Sequence, residues 1–202
     1  ARCATTARLL SFICTAVLAT SRVLAFLGKH RPLRPPKPTN RRGATNAATM
    51  SATPGFFEAL AAQCKAKDSY LCVGLDPRTA TAEEAHDVCC RLIDATKAHA
   101  CCYKPNAAFF EAHGAAGWAA LKGVTEKIHA VGSLCLLDCK RGDVGSTAQA
   151  YAKACYDDLQ ADAVTLSPYL GYDAIQPFVT GQYAGKGAFI LCATSNPSAD
   201  EM

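Results

Sequence analysis

Ser133-Leu-Cys-Leu-Leu-Asp138-Cys-Lys140-Arg-Gly-Asp143-Val-Gly-Ser-Thr147-Ala is the stretch on which the fold turns. Leu134 to Leu137 is a short apolar run of the kind that forms a buried strand. It ends in Asp138, Lys140 and Asp143, with Arg141 between them. Gly142 and Gly145 follow, and Ser146-Thr147-Ala-Gln149 opens a helix. Residues i and i+2 of a strand share a face, so Asp138 and Lys140 are expected to project side by side from the strand's C-terminal end. That is the end where α/β barrels keep their chemistry. A solvated loop also carries charges, but seldom acid, base and acid packed this tightly behind a buried strand.

The same rhythm repeats on either side. Pro54 to Lys67 reads as a helix with Phe56, Phe57, Leu60, Ala61 and Cys64 on one face. Tyr70–Leu75 reads as a strand ending in Asp76-Pro77-Arg78, and Thr81-Ala-Glu-Glu84 as a capping box that starts a helix. Ala100–Tyr103 is a strand ending in Lys104-Pro105-Asn106, followed by a helical region with Trp118, Leu121, Val124 and Ile128. Beyond the opening stretch come a helix over Thr147–Gln160, the strand Ala163–Leu166 and the turn Ser167-Pro-Tyr-Leu-Gly171. A short helix over Asp173–Val179 leads to the strand Ala188–Cys192, which ends in Thr194-Ser195-Asn196-Pro197.

Strands starting near 70, 100, 134, 163 and 188 are 30, 34, 29 and 25 residues apart. Those are the spacings of βα units and require a parallel sheet. Open doubly wound sheets and closed barrels both gather polar strand ends at one edge. The lack of G-x-G-x-x-G or G-x-x-x-x-G-K-[ST] argues against a nucleotide-cofactor sheet. An eight-unit barrel takes about 250 residues, so the expectation is an α/β chain with about five of the eight units of a TIM (β/α)8 barrel.

The chain has 202 residues, half of them apolar and 19% charged, an ordinary globular balance. Its net charge of +4 is unevenly spread: residues 1–50 hold nine Lys/Arg and no acid, and the rest is net negative. The basic excess thus belongs to an N-terminal tail, and neither a nucleic-acid nor a membrane partner is expected. Residues 1–49 are set apart as a basic extension from a barrel domain over 50–202. The apolar run from Arg8 to Ala19 is too short to span a bilayer, and Arg/Pro-rich residues 29–42 cannot form a packed core. This extension is either a targeting presequence, organellar or secretory, or sequence upstream of a start at Met50. The barrel domain itself is expected in the cytoplasm. The twelve cysteines fall mostly in apolar runs, Cys72, Cys101, Cys102, Cys135 and Cys192 among them, and form no C-x-x-C pair. They read as buried, reduced thiols rather than disulfides or zinc ligands.

An acid–lysine–acid cluster in a shielded site favours the ammonium form of the lysine. Lys140 could then bind an anion, stabilise a developing carbanion or deliver a proton to carbon. Lys104, at another strand end, can extend the cluster to an alternating Lys–Asp–Lys–Asp array. Such an array suits carbanion chemistry without a metal or an electron-sink cofactor.

Five ordered motifs carry a family resemblance: Val73-Gly-Leu-Asp76-Pro77, Tyr103-Lys104-Pro105-Asn106, Asp138-Cys-Lys140-Arg-Gly-Asp143-Val-Gly-Ser-Thr147, Ser167-Pro-Tyr-Leu-Gly171 and Thr194-Ser195-Asn196-Pro197. Over about residues 53–202 the chain resembles orotidine 5′-monophosphate decarboxylases of the longer-chain, bacterial-like subgroup. The D-x-K-x-x-D core alone is shared with related sugar-phosphate lyases and aldolases. The resemblance implies conversion of orotidine monophosphate (OMP) to uridine monophosphate and carbon dioxide, with no cofactor and no metal. It implies that Asp76 and Lys104 bind the ribose, and that Asp138 faces the substrate carboxylate. Lys140 would protonate C6, Val144 would line the carboxylate pocket, and Ser195 would hydrogen-bond the pyrimidine. Asp143 and Thr147 would cross a homodimer interface. The family's phosphate-gripping residues come from later strands, so the 202 residues alone are expected to be insoluble or inactive. A fused phosphoribosyltransferase domain beyond Met202 is a further expectation. The alternatives are a magnesium-dependent sugar-phosphate aldolase or decarboxylase of the same barrel type, and a non-catalytic binding or interaction fragment.

Overall fold

The computed structural model describes residues 54–201. The expectations for residues 1–49 lie outside these. Ser51–Ala193 form one compact unit, and the segment from Thr194 belongs to a separate one. Five strands make the sheet: β1 (Leu71–Leu75), β2 (Ala100–Pro105), β3 (Leu134–Arg141), β4 (Ala163–Leu166) and β5 (Gly187–Ile190). Between and before them run α1 (Phe56–Lys67), α2 (Ala82–Thr96), α3 (Ala107–Glu111), α4 (Gly114–Ala130), α5 (Gly145–Lys153) and α6 (Tyr172–Val179).

Every neighbouring pair of strands is parallel, and the order is β1-β2-β3-β4-β5. A doubly wound sheet reverses its order at a switch point. Strict sequential order with helix between successive strands is the arc of a barrel, which decides between the two architectures left open by spacing alone. The core is split accordingly. Tyr103, Cys135, Leu137 and Val164 pack with Ile93, Leu121, Val124 and Ile128 of the helices. On the other face, Cys102, Leu136 and Ala163 meet Phe56 of α1, with Phe189 against them. Gly187 is required there: a Cβ would fall 2.4 Å from the Phe56 ring.

Local chemistry explains most boundaries. Thr81 Oγ1 accepts from Glu84 N at 3.2 Å and starts α2, while Glu84 reaches back to Ala80 N at 3.1 Å. Tyr103, fully buried, donates its hydroxyl to Ile93 O at 3.0 Å and pairs with Thr96, tying β2 to the end of α2. The short helix α3 was hidden in the sequence. Asn106 caps it, Oδ1 accepting from Ala108 N at 3.2 Å, in a run too short to show helical periodicity. The helix expected to reach Gln160 is α-helical only to Lys153. It continues as a π turn over Ala154–Asp158 and ends where Gln160 takes a φ of +58°.

One expectation about the thiols needs correction. The ten cysteines of the described residues are unpaired, and Cys89, Cys101, Cys102, Cys135, Cys139 and Cys155 are buried, but Cys72 and Cys192 are exposed. β1 alternates, burying Val73 and Leu75 and leaving Cys72 exposed on the opposite face of this first strand of the arc.

Candidate active site

β3 does not stop at Leu137 but carries Asp138, Cys139, Lys140 and Arg141 as its last residues. Asp138 is nearly buried, with a side chain 10% exposed, and it gathers the site. Lys140 Nζ lies 2.6 Å from its Oδ1, and Lys104 Nζ, from the end of β2, lies 3.2 Å from its Oδ2. An isolated parallel bridge between Asn106 and Asp138 fixes the relative height of the two strand ends. Lys140 reaches the carboxylate by a route that strand alternation does not describe, because its backbone is left-handed, φ +47°.

Asp138 has a third partner, on a strand where the sequence marks no site residue. Thr165 of β4 donates its hydroxyl to Asp138 Oδ1 at 2.9 Å. It also accepts from Cys139 N at 3.0 Å and Lys140 N at 2.9 Å. Its only trace in the sequence is a single hydroxyl in the otherwise apolar run Ala163–Leu166. Arg141 is a support rather than a site group. Its guanidinium pairs with Glu111 of α3 and lies 5.2 Å from the Tyr151 ring centre. Burial works to lower the Arg141 pKa, but the Glu111 carboxylate outweighs it and raises it.

The other expected residues are placed as follows. Asp76 is exposed, one step beyond the Leu75–Pro105 pair that ends the β1–β2 ladder, so it shares the edge with Lys104. Asp143 does not pair with Lys140 within the chain. Its Oδ1 accepts from Val144 N at 2.8 Å, because the chain turns away through Gly142, which packs so closely on Ser167 that a Cβ would lie 3.0 Å from it. Val144 and Thr147, at the start of α5, are exposed. Ser195 is exposed in the separate segment that follows β5. The structure thus brings together Lys104, Asp138 and Lys140, adds Thr165, and leaves Asp143 with its own loop.

Burial would raise the Asp138 pKa. The hydrogen bond from Lys140, the charge of Lys104 and the Thr165 hydroxyl more than offset it and hold the carboxyl below its ordinary value. A carboxyl with a depressed folded pKa stabilises the fold fully above its unfolded pKa, about 3.9. That contribution is lost as pH falls through that value toward the folded one. Melting midpoints recorded from pH 6 to pH 3 should therefore drop on the acid side. Asp138→Asn should flatten part of that drop, and a variant curve parallel to the wild type would remove Asp138 as a source of acid sensitivity.

Comparison with known proteins points one way. The sequence model of the "Orotidine 5'-phosphate decarboxylase / HUMPS family" matches residues 69–202. An orotidine 5′-phosphate decarboxylase of Roseiflexus castenholzii is 50% identical over 155 residues, covering 73% of this chain and 56% of that protein. The solved UMP synthase of Leishmania donovani superposes with a TM-score of 0.69 at 49% identity, over 74% of this chain and 32% of that one. A solved orotidine-monophosphate decarboxylase of Toxoplasma gondii, described as putative, gives 0.69 at 48% identity, over 73% and 51%. The chain spans about half the length of the curated relatives it matches. The sequential parallel sheet, the lysine–aspartate–lysine edge and these matches over the same residues agree: the chain belongs to the orotidine 5′-phosphate decarboxylase family.

Proposed function

We propose that this chain carries the catalytic half of an OMP decarboxylase. One observation supports the reading above the rest: a nearly buried carboxylate held ionised between two ammonium groups at the C-terminal edge of a parallel sheet. In the proposed reaction the Asp138 carboxylate lies beside the substrate's own carboxylate. The bond from C6 to that group breaks, carbon dioxide leaves, and the electron pair stays on C6. Lys140 stabilises that charge and then gives C6 its proton. Lys104 and Asp76 hold the ribose, Val144 lines the carboxylate pocket, and Ser195 serves the pyrimidine.

The proposal includes a homodimer. Among the described residues Asp143 makes no ion pair, and Thr147 is exposed at the start of α5, which supports their meeting a second copy. It also includes a fused phosphoribosyltransferase domain in the natural protein, supported by the likeness to a longer chain called UMP synthase.

The test joins residues 50–193 to the later units of the Roseiflexus relative and follows loss of OMP. Turnover is expected with and without EDTA, and no turnover is expected from the 202 residues alone. A completed, folded barrel with no decarboxylation would sink the reading. Activity abolished by EDTA would favour the magnesium-dependent alternative.

A further inference from the structure

Between the Leu137–Val164 and Arg141–Leu166 pairs, β3 has Asp138, Cys139 and Lys140 where β4 has only Thr165. A bulge of this kind leaves main-chain groups of the longer strand without ladder partners. A buried amide so stranded must find another acceptor. Here two of them find the same atom, since Cys139 N and Lys140 N both donate to Thr165 Oγ1. A hydroxyl has one proton and two lone pairs. The proton goes to Asp138 Oδ1, so the capacity of the group is fully used.

The backbone of Lys140 adds an independent sign. A residue with a Cβ holds a left-handed φ only where its surroundings impose it, and such residues cluster at working sites. The turn at Lys140 sends its ammonium back to Asp138 Oδ1, the same oxygen that Thr165 addresses.

We propose that Thr165 is the positioning residue of this site: its hydroxyl locks the β3 bulge that turns Lys140 and fixes the Asp138 carboxylate against it. The kinetic consequence rests on the decarboxylase reading, but the positional one does not. Valine has the shape of threonine without the donor or the acceptor, and serine has both without the methyl.

In the completed barrel, Thr165→Val should lower kcat about 10- to 100-fold through misplacement of the reacting groups, with KM changed less than about threefold. Thr165→Ser should return kcat to within about threefold of the wild type. A second readout needs no turnover: titration of the Asp138 carboxyl by carbon NMR. The charged groups facing it are Lys104 from β2 and Lys140 from β3. β4 presents only the hydroxyl, and Cys139 is the adjacent thiol on the same strand. Losing a hydrogen bond to the charged form disfavours that form, so the midpoint should rise in Thr165→Val and fall back in Thr165→Ser.

An unmoved midpoint with wild-type kcat in Thr165→Val, or a serine variant as impaired as the valine one, overturns the proposal. A completed barrel that binds and folds but never decarboxylates refutes the reaction instead, while the titration still decides the role of Thr165. Should Thr165→Val not fold, hydrogen exchange on the unmodified protein decides. The amides of Cys139 and Lys140 should be as protected as those of the β4 ladder, and exchange at the rate of exposed loop amides overturns the proposal.

Discussion

Lys140→Ala in the completed barrel should lower turnover by about 10²- to 10⁴-fold, the range supplied by a positioned proton donor, while leaving the fold nearly as stable as before. The side chain is 51% exposed and packs into no core, so little apolar burial is lost. Alanine and lysine meet a similar penalty at a left-handed φ, so the backbone strain at position 140 is unchanged. What remains is one ion pair with a half-exposed partner, worth about 1 kcal/mol or less after solvent screening. Asp138 keeps Lys104 and Thr165 and is not left bare. A melting curve within a few degrees of the wild type together with a collapsed kcat is the expected pair of results. Turnover above a tenth of the wild-type rate would rule out Lys140 as the proton donor.

The largest effect on stability should come from a single methyl group. Gly117 sits in the first turn of α4, where α3 crosses, and a Cβ there would lie 1.7 Å from Phe110 O and 2.7 Å from its carbonyl carbon. Glycine to alanine inside a helix ordinarily gains about 1 kcal/mol. Here the obstacle is backbone, and Phe110 is wholly buried, so α3 must move to make room. An overpacking cost of about 3 kcal/mol or more outweighs the propensity gain. For a chain of this size that is a fall of about 6–12 °C in Tm. Gly123, further along the same helix, is the control: its Cβ would meet only the His86 ring at 3.1 Å, a side chain that can yield. Equal stability of Gly117→Ala and Gly123→Ala would show that the close crossing of α3 and α4 is not obligatory.

Much of this molecule can be read from local signals. The 25- to 34-residue strand spacing gave the parallel sheet, Thr81 marked the start of α2, and the i, i+2 spacing brought Asp138 and Lys140 together. The last was right in outcome and incomplete in cause, since a bulge and a left-handed backbone achieve the contact. What escaped depends on pairing across distance. Thr165 lies 27 residues from Asp138 in the chain, and only strand register brings its hydroxyl into place. The sequential strand order, which separates a barrel arc from an open sheet, is also a property of pairing rather than of any single segment. The exposure of Cys72 follows from strand alternation on the edge strand β1, and an apolar run cannot state which strand is at the edge. Asp143 turns to its own loop because Gly142 hugs Ser167, a contact 25 residues apart.

Two ammonium groups share one carboxylate at the end of β2 and β3, and the sharing is unequal with respect to water. The Asp138 side chain is 10% exposed, whereas Lys104 and Lys140 are 32% and 51% exposed. The trio therefore holds one surplus positive charge, and that surplus lies on its wet side. Exposed charges are screened over about 8 Å at physiological ionic strength, and shielded ones much less. Rising salt then acts on the two halves of the trio differently. The inner pairing with Asp138 persists, while an arriving anion must compete with mobile counter-ions for the outer cation. Added salt is therefore expected to weaken anion capture at this edge more than it weakens the contacts inside the trio.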